Sequence, residues 1–228
     1  MSMVTAVRRG LLRLKHRVRA GSEAAHFRRL RGVVHVGANT GQERHLYDSY
    51  GIRVLWIEPI PEVFARLQSN IAGFEGQKAV QALVADRSGV EVDFHVANND
   101  GASSSMLELG EHRELWPEVH FNRSIRMRTI SLPDLLRDSG ADLTRYNALV
   151  MDTQGSELLV LQGAIPLLAH FDYVKTEAAD FEAYKNCCTV KDLGAFMAAH
   201  GFDEIDRRLF RRRMRPGQAY YNLVYRRR

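Results

Sequence analysis

The sequence predicts an α/β fold, an open and mostly parallel sheet wound on both faces by helices, and three observations carry that prediction. Short apolar runs rich in valine and isoleucine recur along the chain. Segments of helical period separate them. Glycine or an acid closes four of these runs where the chain turns into its next segment.

The first run is Val33-Val34-His35-Val36, which enters the loop Gly37-Ala38-Asn39-Thr40-Gly41, with helix expected from Gln42 onward. Strand, tight loop and helix in that order make a site for a nucleotide-like ligand. Glycine lets backbone approach closely, and a helix start offers unpaired N–H groups. The second run, Arg53-Val54-Leu55-Trp56-Ile57, ends on Glu58-Pro59, and Glu58 lies 21 residues beyond Gly37. An acid there is placed to accept both hydroxyls of an adenosine ribose. A dinucleotide fingerprint puts a second glycine where this chain has Asn39, so a pyrophosphate would meet a side chain. S-adenosylmethionine carries no phosphate, and its methionine end can use a polar side chain. It is therefore favoured over NAD.

After Glu58, Pro61 suits a first helical turn, and Val63, Phe64, Leu67 and Ile71 share one helical face. Residues 77–84 read as a third strand, 85–89 as a turn, and Val90, Val92, Phe94 and Val96 alternate. Residues 97–125 have no clean period and contain Ser103-Ser104-Ser105, His112, Trp116 and His120. A loop this long is expected to be functional, as a lid and part of an acceptor pocket. For each histidine the alternative is a solvated loop side chain. Residues 125–130 read as a strand, followed by a helix capped by Ser131 with Pro133 in its first turn.

Residues 147–152 form the fourth core strand, ending in Asp152-Thr153-Gln154-Gly155-Ser156-Glu157, and residues 172–177 the fifth, ending on Glu177. Ligands of open α/β sheets bind outside the carboxyl ends of the strands, so these acids converge on one edge. Asp152 taken alone could be a helix cap, and Glu157 could be a favourably placed first-turn acid instead of a ligand contact. The chain closes with a helix over 190–200, a strand over 202–206 and a returning strand over 218–225, with a basic hairpin tip at 211–217.

The 228 residues, 45% apolar, suffice for one large domain. Two units are expected, a basic N-terminal helical extension over 1–31 and a single domain over 32–228. The net charge of +5 conceals an asymmetry. Residues 1–31 hold nine basic residues and one acid, residues 207–228 hold nine arginines and no acid, and the body between holds 14 basic and 26 acidic residues. An acidic body argues against a nucleic-acid enzyme with a basic cleft. Val7, Leu11, Leu14 and Val18 at helical spacing among basic residues suit an amphipathic helix on an anionic membrane surface, or one that caps the domain or meets a second subunit. Cys187 and Cys188 are adjacent, without zinc spacing, and no secretory apolar run occurs, so a cytoplasmic setting is expected, with peripheral membrane contact as an option.

These motifs together resemble the FkbM family of S-adenosylmethionine-dependent methyltransferases. The resemblance rests on Val34 through Gly41, Ile57-Glu58-Pro59, Ala82 through Gly89, the Ser103–Met106 loop, Arg128-Thr129-Ile130-Ser131-Leu132, and Met151 through Leu158 and on to Gly163-Ala164, and it covers roughly residues 32–206. It implies a Rossmann-like class I methyltransferase fold with a C-terminal antiparallel hairpin, and O-methylation of a sugar, glycolipid or polyketide hydroxyl. It also implies cofactor contacts from His35, Gly37, Asn39, Gly41, Glu58, Asp86 and Ser104. Asp86 would meet the adenine amino group or simply cap its turn. His35 departs from the pattern, since the family usually has Asp there. A neutral imidazole accepts one hydrogen bond and a protonated one repels the cofactor's ammonium group, unless His35 is a core side chain under the loop.

An acceptor hydroxyl is a poor nucleophile unless a base takes its proton. Asp152 and Glu177 are the candidates, with His112 or His120 if the lid folds over. A divalent metal held by Asp152 and Glu177 is a secondary expectation, which a chelator titration would test. Trp116 and Tyr184 could line a sugar surface or be ordinary packing. The competing readings are a nucleic-acid methyltransferase using the arginine-rich ends, and a non-catalytic binding module that has lost cofactor affinity through His35.

Overall fold

The computed structural model of the protein describes residues 28–212 and 218–228. The helix expected within 1–31 and most of the basic tip at 211–217 lie outside them. In chain order the first half comprises β1 (Gly32–Val36), α1 (Arg44–Ser49), β2 (Arg53–Glu58), α2 (Pro61–Ile71), β3 (Gln77–Gln81), β4 (Leu83–Val84), β5 (Glu91–Ala97), α3 (His112–Leu115) and β6 (Phe121–Ile130). The second half comprises α4 (Leu132–Asp138), β7 (Ala148–Met151), α5 (Glu157–Gly163), α6 (Ile165–Leu168), β8 (Tyr173–Ala179), α7 (Val190–Ala199), β9 (Phe202–Arg212) and β10 (Ala219–Arg227).

Seven strands form the main sheet in the order β3-β2-β1-β7-β8-β10-β9. The first five in that order pair in parallel, and β10 runs antiparallel to both β8 and β9. The strand order reverses between β1 and β7, where a doubly wound sheet opens a ligand crevice. Every residue of β1 is buried, as a parallel strand covered on both faces requires. On one face Val33, Val54, Trp56 and Val150 pack with Tyr47 of α1 and Leu67 and Ile71 of α2. On the other Val34, Ile57, Leu149 and Val174 pack with residues of α4, α5, α6 and α7. Each fully buried aliphatic side chain contributes on the order of 1.5–3 kcal/mol.

The caps explain where helices begin. Pro61 opens α2, Ser131 accepts from the Asp134 N–H with Pro133 in the first turn of α4, and Thr189 forms a capping box with Asp192 on α7.

Several strand bounds need correction: β8 runs two residues past Glu177 to Ala179 along its antiparallel partner β10, and β6 begins at Phe121, inside the expected loop, where it pairs with β5. Residues 77–84 are two strands, because the chain leaves the main sheet after Gln81, and Leu83 and Val84 pair with Thr129 and Ile130 instead. They join a second sheet, ordered β4-β6-β5. Its inner face buries Leu83, Phe94 and Val96 against Ile60 and Val63, and its outer face carries cross-strand pairs such as Arg126 with Asp93 at 3.2 Å. The strand expected over 202–206 continues to Arg212, because β10 offers it an antiparallel partner along that whole length. The solvated arginines then sit on an edge strand, where charge is compatible with pairing.

The second sheet is seated tightly on the first layer of helices. A Cβ at Gly163, the last residue of α5, would lie 2.2 Å from the Ala85 carbonyl oxygen. Cys187 and Cys188 are free and half-buried, and burial raises both thiol pKa values. Among the described residues no helix is long and apolar enough to cross a membrane.

Candidate active site

The loop after β1 is shaped by backbone needs that few side chains tolerate. Gly37 has φ +78°, and a Cβ there would stand 1.9 Å from the Asp152 carbonyl oxygen. Asn39 and Gly41 are also left-handed, at φ +45° and +71°. The N–H groups of Gly37 and Ala38 both donate to the Ile57 carbonyl at 3.0 Å, which ties the loop to the end of β2. Helix α1 starts two residues later than expected and has no side-chain cap.

Glu58 completes the loop. Its Oε2 accepts from the Asn39 N–H at 2.9 Å and its Oε1 from the Ile60 N–H at 3.0 Å. Burial pushes its carboxyl up to about 7, opposed by those two N–H groups and helped by the negative field of Asp152. Each oxygen keeps a further lone-pair direction for a ligand hydroxyl.

A cavity of about 260 Å³ lies over this loop. Glu58, Ile60, Leu83, Val84, Phe94 and Ser104 line one end, and His35, Glu43 and Asp152 line the other. The apolar end suits a flat heterocycle and Glu58 suits its ribose. Thr153 also lines the cavity, and its Oγ1 is buried with no hydrogen-bond partner among the described residues, as a polar ligand group would require. The residues present therefore fit S-adenosylmethionine.

His35 is a core histidine under the loop. Its ring stacks on Trp56 with centroids 4.8 Å apart, and Nδ1 lies 3.5 Å from the Tyr47 hydroxyl. Burial, with the positive field of Lys175, lowers its pKa to about 3, so it is neutral and does not repel a cation. Ser104 accepts the Ala97 N–H at 2.9 Å and lines the cavity, whereas Ser103 and Ser105 turn to Asn99 and to the Gln154 carbonyl.

The turn after β7 carries the second group of acids. The Asp152 N–H donates to the Val36 carbonyl, which sets this residue directly beside the first loop. Asp152 lines both the main cavity and a small one of about 80 Å³ that also holds Glu43, Tyr47, Lys175, Glu177 and Asn222. The Asp152 and Glu177 carboxyls are both raised, mainly by the surrounding protein. For Glu177 the charge of Asp152 adds to the rise, while Lys175 opposes it at both. Asp152 still reaches water through the cavity mouth, so a ligand that displaces this water would raise it further. Asn222 hydrogen-bonds Glu177, a partner supplied by the antiparallel register of β10 on β8.

Other candidates fall elsewhere. Glu157 is buried and accepts the N–H groups of Thr153 at 2.9 Å and Gly155 at 3.0 Å, so it supports the turn and does not line the main cavity. Asp86 pairs with Arg87 at 3.0 Å and does not reach the cavity, whose wall is made instead by Ala82, Leu83 and Val84. His112 is buried in an aromatic cluster, with Nδ1 2.6 Å from the Tyr220 hydroxyl, Nε2 3.2 Å from Ser103 Oγ and its ring stacked on Trp116. His120 is exposed and bonded to the Glu118 carbonyl. Neither histidine lines a cavity with Asp152. Among the described residues no group of three or more His, Cys, Asp or Glu side chains could hold a metal ion. A larger cavity of about 420 Å³ lies farther along the same sheet face between Tyr47, Val150, Val224 and Phe210. It is mostly apolar, and Arg208 pairs its one acid, Asp206, at 2.7 Å.

Sequence reasoning missed Glu43, Thr153, Gln154, Lys175 and Asn222. Glu43 and Thr153 stand within the two loop motifs themselves. Lys175 and Asn222 carry no local signal, since only strand pairing brings them to the cavity.

A doubly wound sheet with this strand order, whose switch point carries a buried acid at the end of β2 and a glycine loop without a pyrophosphate cradle, fits the family match and defines an S-adenosylmethionine-dependent methyltransferase of the Rossmann-like class I type. The model of the FkbM methyltransferase domain matches residues 35–213, and the chain belongs to that family. No curated protein matches. Among solved structures, a protein in the NADB-Rossmann superfamily from Streptococcus agalactiae is similar at 11% identity and TM-score 0.47, covering 86% of this chain and 61% of that one. A putative RNA methyltransferase from Pyrococcus horikoshii is similar at 14% identity and TM-score 0.45, covering 86% and 72%. Aeropyrum pernix fibrillarin with natively bound S-adenosyl-L-methionine is similar at 12% identity and TM-score 0.46, covering 85% and 65%. The chain thus spans about three fifths of the length of the first of these.

Proposed function

We propose that the protein methylates a hydroxyl of a sugar, glycolipid or polyketide-type acceptor. The observation that carries this reading is the pair Asp152, just past the end of β7, and Glu177, within the adjacent parallel strand β8, which share one small cavity that joins the cofactor cavity at Asp152. Two carboxylates in one confined space resist ionising together, so the pair holds a proton near neutrality and its ionised member is a base.

Bound S-adenosylmethionine would supply an electrophilic methyl group, with its sulfur as the leaving group, and the ionised carboxylate of the Asp152–Glu177 pair would take the acceptor hydroxyl's proton. The chain's own part is placement and proton transfer. Glu58 would hold the ribose, Thr153 Oγ1 would engage a polar group of the cofactor, and neutral His35 would leave its cationic end unopposed. Glu43 and the one charge of the Asp152–Glu177 pair outweigh Lys175 there, and the net negative field disfavours a phosphate-bearing acceptor and so favours this reading over a nucleic-acid one. Contact of the basic ends with an anionic lipid surface belongs to the glycolipid branch of the proposal. Absence of co-sedimentation with anionic vesicles would remove that branch.

The test is transfer of labelled methyl to methyl glycosides, glycolipids and hydroxylated polyketides by wild type, Asp152→Asn and Glu177→Gln. The expected product is a methyl ether, with a rate that rises with pH as the carboxylate pair ionises and falls about 100-fold or more in Asp152→Asn. Wild-type rates in both variants would remove the base assignment. Label found in RNA and in none of these acceptors would replace the acceptor class.

A further inference from the structure

Tyr184 lines neither the main cavity nor the small one beside Asp152, yet it connects to both through one side chain. It is fully buried, and its hydroxyl donates to Gln154 Oε1 at 2.7 Å. Gln154 Nε2 in turn donates to Asp152 Oδ1 at 2.5 Å. An amide has one accepting end and one donating end. With the carboxylate at the donating end, the accepting end must face the tyrosine O–H, so the polarity of the chain is set from Tyr184 to Asp152. Turning the amide over would put its oxygen against the carboxylate.

The backbone enforces the same arrangement. Gln154 is left-handed at φ +54° and Gly155 follows at φ +100°, so the side chain that bridges Asp152 and Tyr184 sits on a tight turn. Gly155 packs against Tyr184 and Cys187, where a Cβ would be 3.0 Å from Tyr184 Cβ and Cδ2 and 3.1 Å from Cys187 Cβ. The turn is thus moulded around this tyrosine. The hydroxyl also stands 3.2 Å from the Ser103 carbonyl, and Ser105 Oγ donates to the Gln154 carbonyl at 2.8 Å, so the serine loop is seated on the same turn.

We propose that Tyr184 is a positioning residue for methyl transfer, whose hydroxyl, acting through the Gln154 amide, holds the Asp152 carboxylate in the orientation that accepts the acceptor's proton. This rests on the reading of Asp152 as that proton acceptor. Tyr184 itself stays protonated, since burial raises its pKa further above the ordinary phenol value. It orients the base without exchanging a proton. The Gln154 hydrogen bond favours the ionised form of Asp152, so loosening the amide weakens that support.

The test is a carbon-13 titration of the Asp152 carboxyl, assigned by its loss in Asp152→Asn, in wild type, Tyr184→Phe, Gln154→Leu and the double variant. Phenylalanine keeps the ring on Gly155 and removes only the hydroxyl. Tyr184→Phe is expected to raise the Asp152 pKa by about half a unit, and Gln154→Leu by at least as much. The double variant is expected to shift no further than Gln154→Leu alone, because the two act in series. Calorimetry with S-adenosylhomocysteine should stay within about twofold of wild type in Tyr184→Phe, whose side chain lies outside the cofactor cavity, and this separates base orientation from cofactor binding. A wild-type Asp152 titration in folded Tyr184→Phe, or shifts that simply add in the double variant, would overturn the proposal. If Tyr184→Phe does not fold, an unshifted titration in Gln154→Leu overturns it equally. Wild-type turnover by Asp152→Asn would instead remove the base assignment on which the proposal rests.

Discussion

The two loops that meet at the centre of the sheet are built alike and used differently. After β1 the chain passes through left-handed Asn39 and Gly41, and after β7 through left-handed Gln154 and Gly155. A buried glutamate then gathers two backbone N–H groups in each case, Glu58 those of Asn39 and Ile60, Glu157 those of Thr153 and Gly155. Burial pushes both carboxyls up to about 7. Yet Glu58 comes from the neighbouring strand and faces the main cavity, whereas Glu157 belongs to the first turn of the helix it supports and is turned away from that cavity. An acid beside a glycine turn is therefore not a ligand contact by virtue of its motif. The cavity it faces decides.

Substituting the glycines tests the comparison most severely. Gly37→Ala sets a methyl group against backbone at 1.9 Å, while Gly155→Ala meets only side-chain carbons near 3.0 Å. Chemical denaturation should show Gly37→Ala destabilised by about 3 kcal/mol or more, and Gly155→Ala by clearly less. Equal losses would mean that the close approach of the two loops has no special weight.

Exchanging the acids comes next. Glu58→Ala should weaken S-adenosylhomocysteine binding about 100-fold, roughly 2.7 kcal/mol, by calorimetry. No binding by folded wild type would favour the non-catalytic module. In Glu157→Gln the affinity should stay within about twofold, and a loss comparable to that of Glu58→Ala would erase the distinction between the loops.

The smallest effect is one of pH. Glu157 titrates near 4.5 when unfolded and near 7 in the fold, so the folded protein holds this proton longer. That contribution makes stability fall as pH rises from 4.5 to 7 and level off above. Denaturation at several pH values should show a flatter decline in Glu157→Gln, the difference reaching at most about 2–3 kcal/mol. Parallel pH dependences would show that Glu157 is not held as described.

The parallel core was legible because its signals are local. Valine-rich runs, Glu58 at the end of β2, and the Ser131 and Pro61 helix starts can each be read within a few residues. The roles at the second loop were less so. Asp152 and Glu177 could be placed on one edge from strand ends alone, but Asn222 reaches Glu177 only through the β8–β10 register. His112 looked like a loop histidine because its main partner, Tyr220, is 108 residues away. Asp86 had a favourable position in sequence and lost it to the short β4, which turns the chain so that Leu83 and Val84 face the cavity instead.

The contact between Gly163 and Ala85 has a mechanical meaning. Helix α5 begins at Glu157, under the Asp152 turn, and ends where Gly163 butts against the carbonyl next to the apolar wall of the cavity. It is a strut with the Asp152 turn at one end and the apolar cavity wall at the other. A cofactor analogue with an enlarged base could not be admitted by backing that wall away, because the strut would carry the displacement to the carboxylates. Tolerance for such analogues is better sought by trimming a lining side chain such as Phe94, which leaves the strut in place.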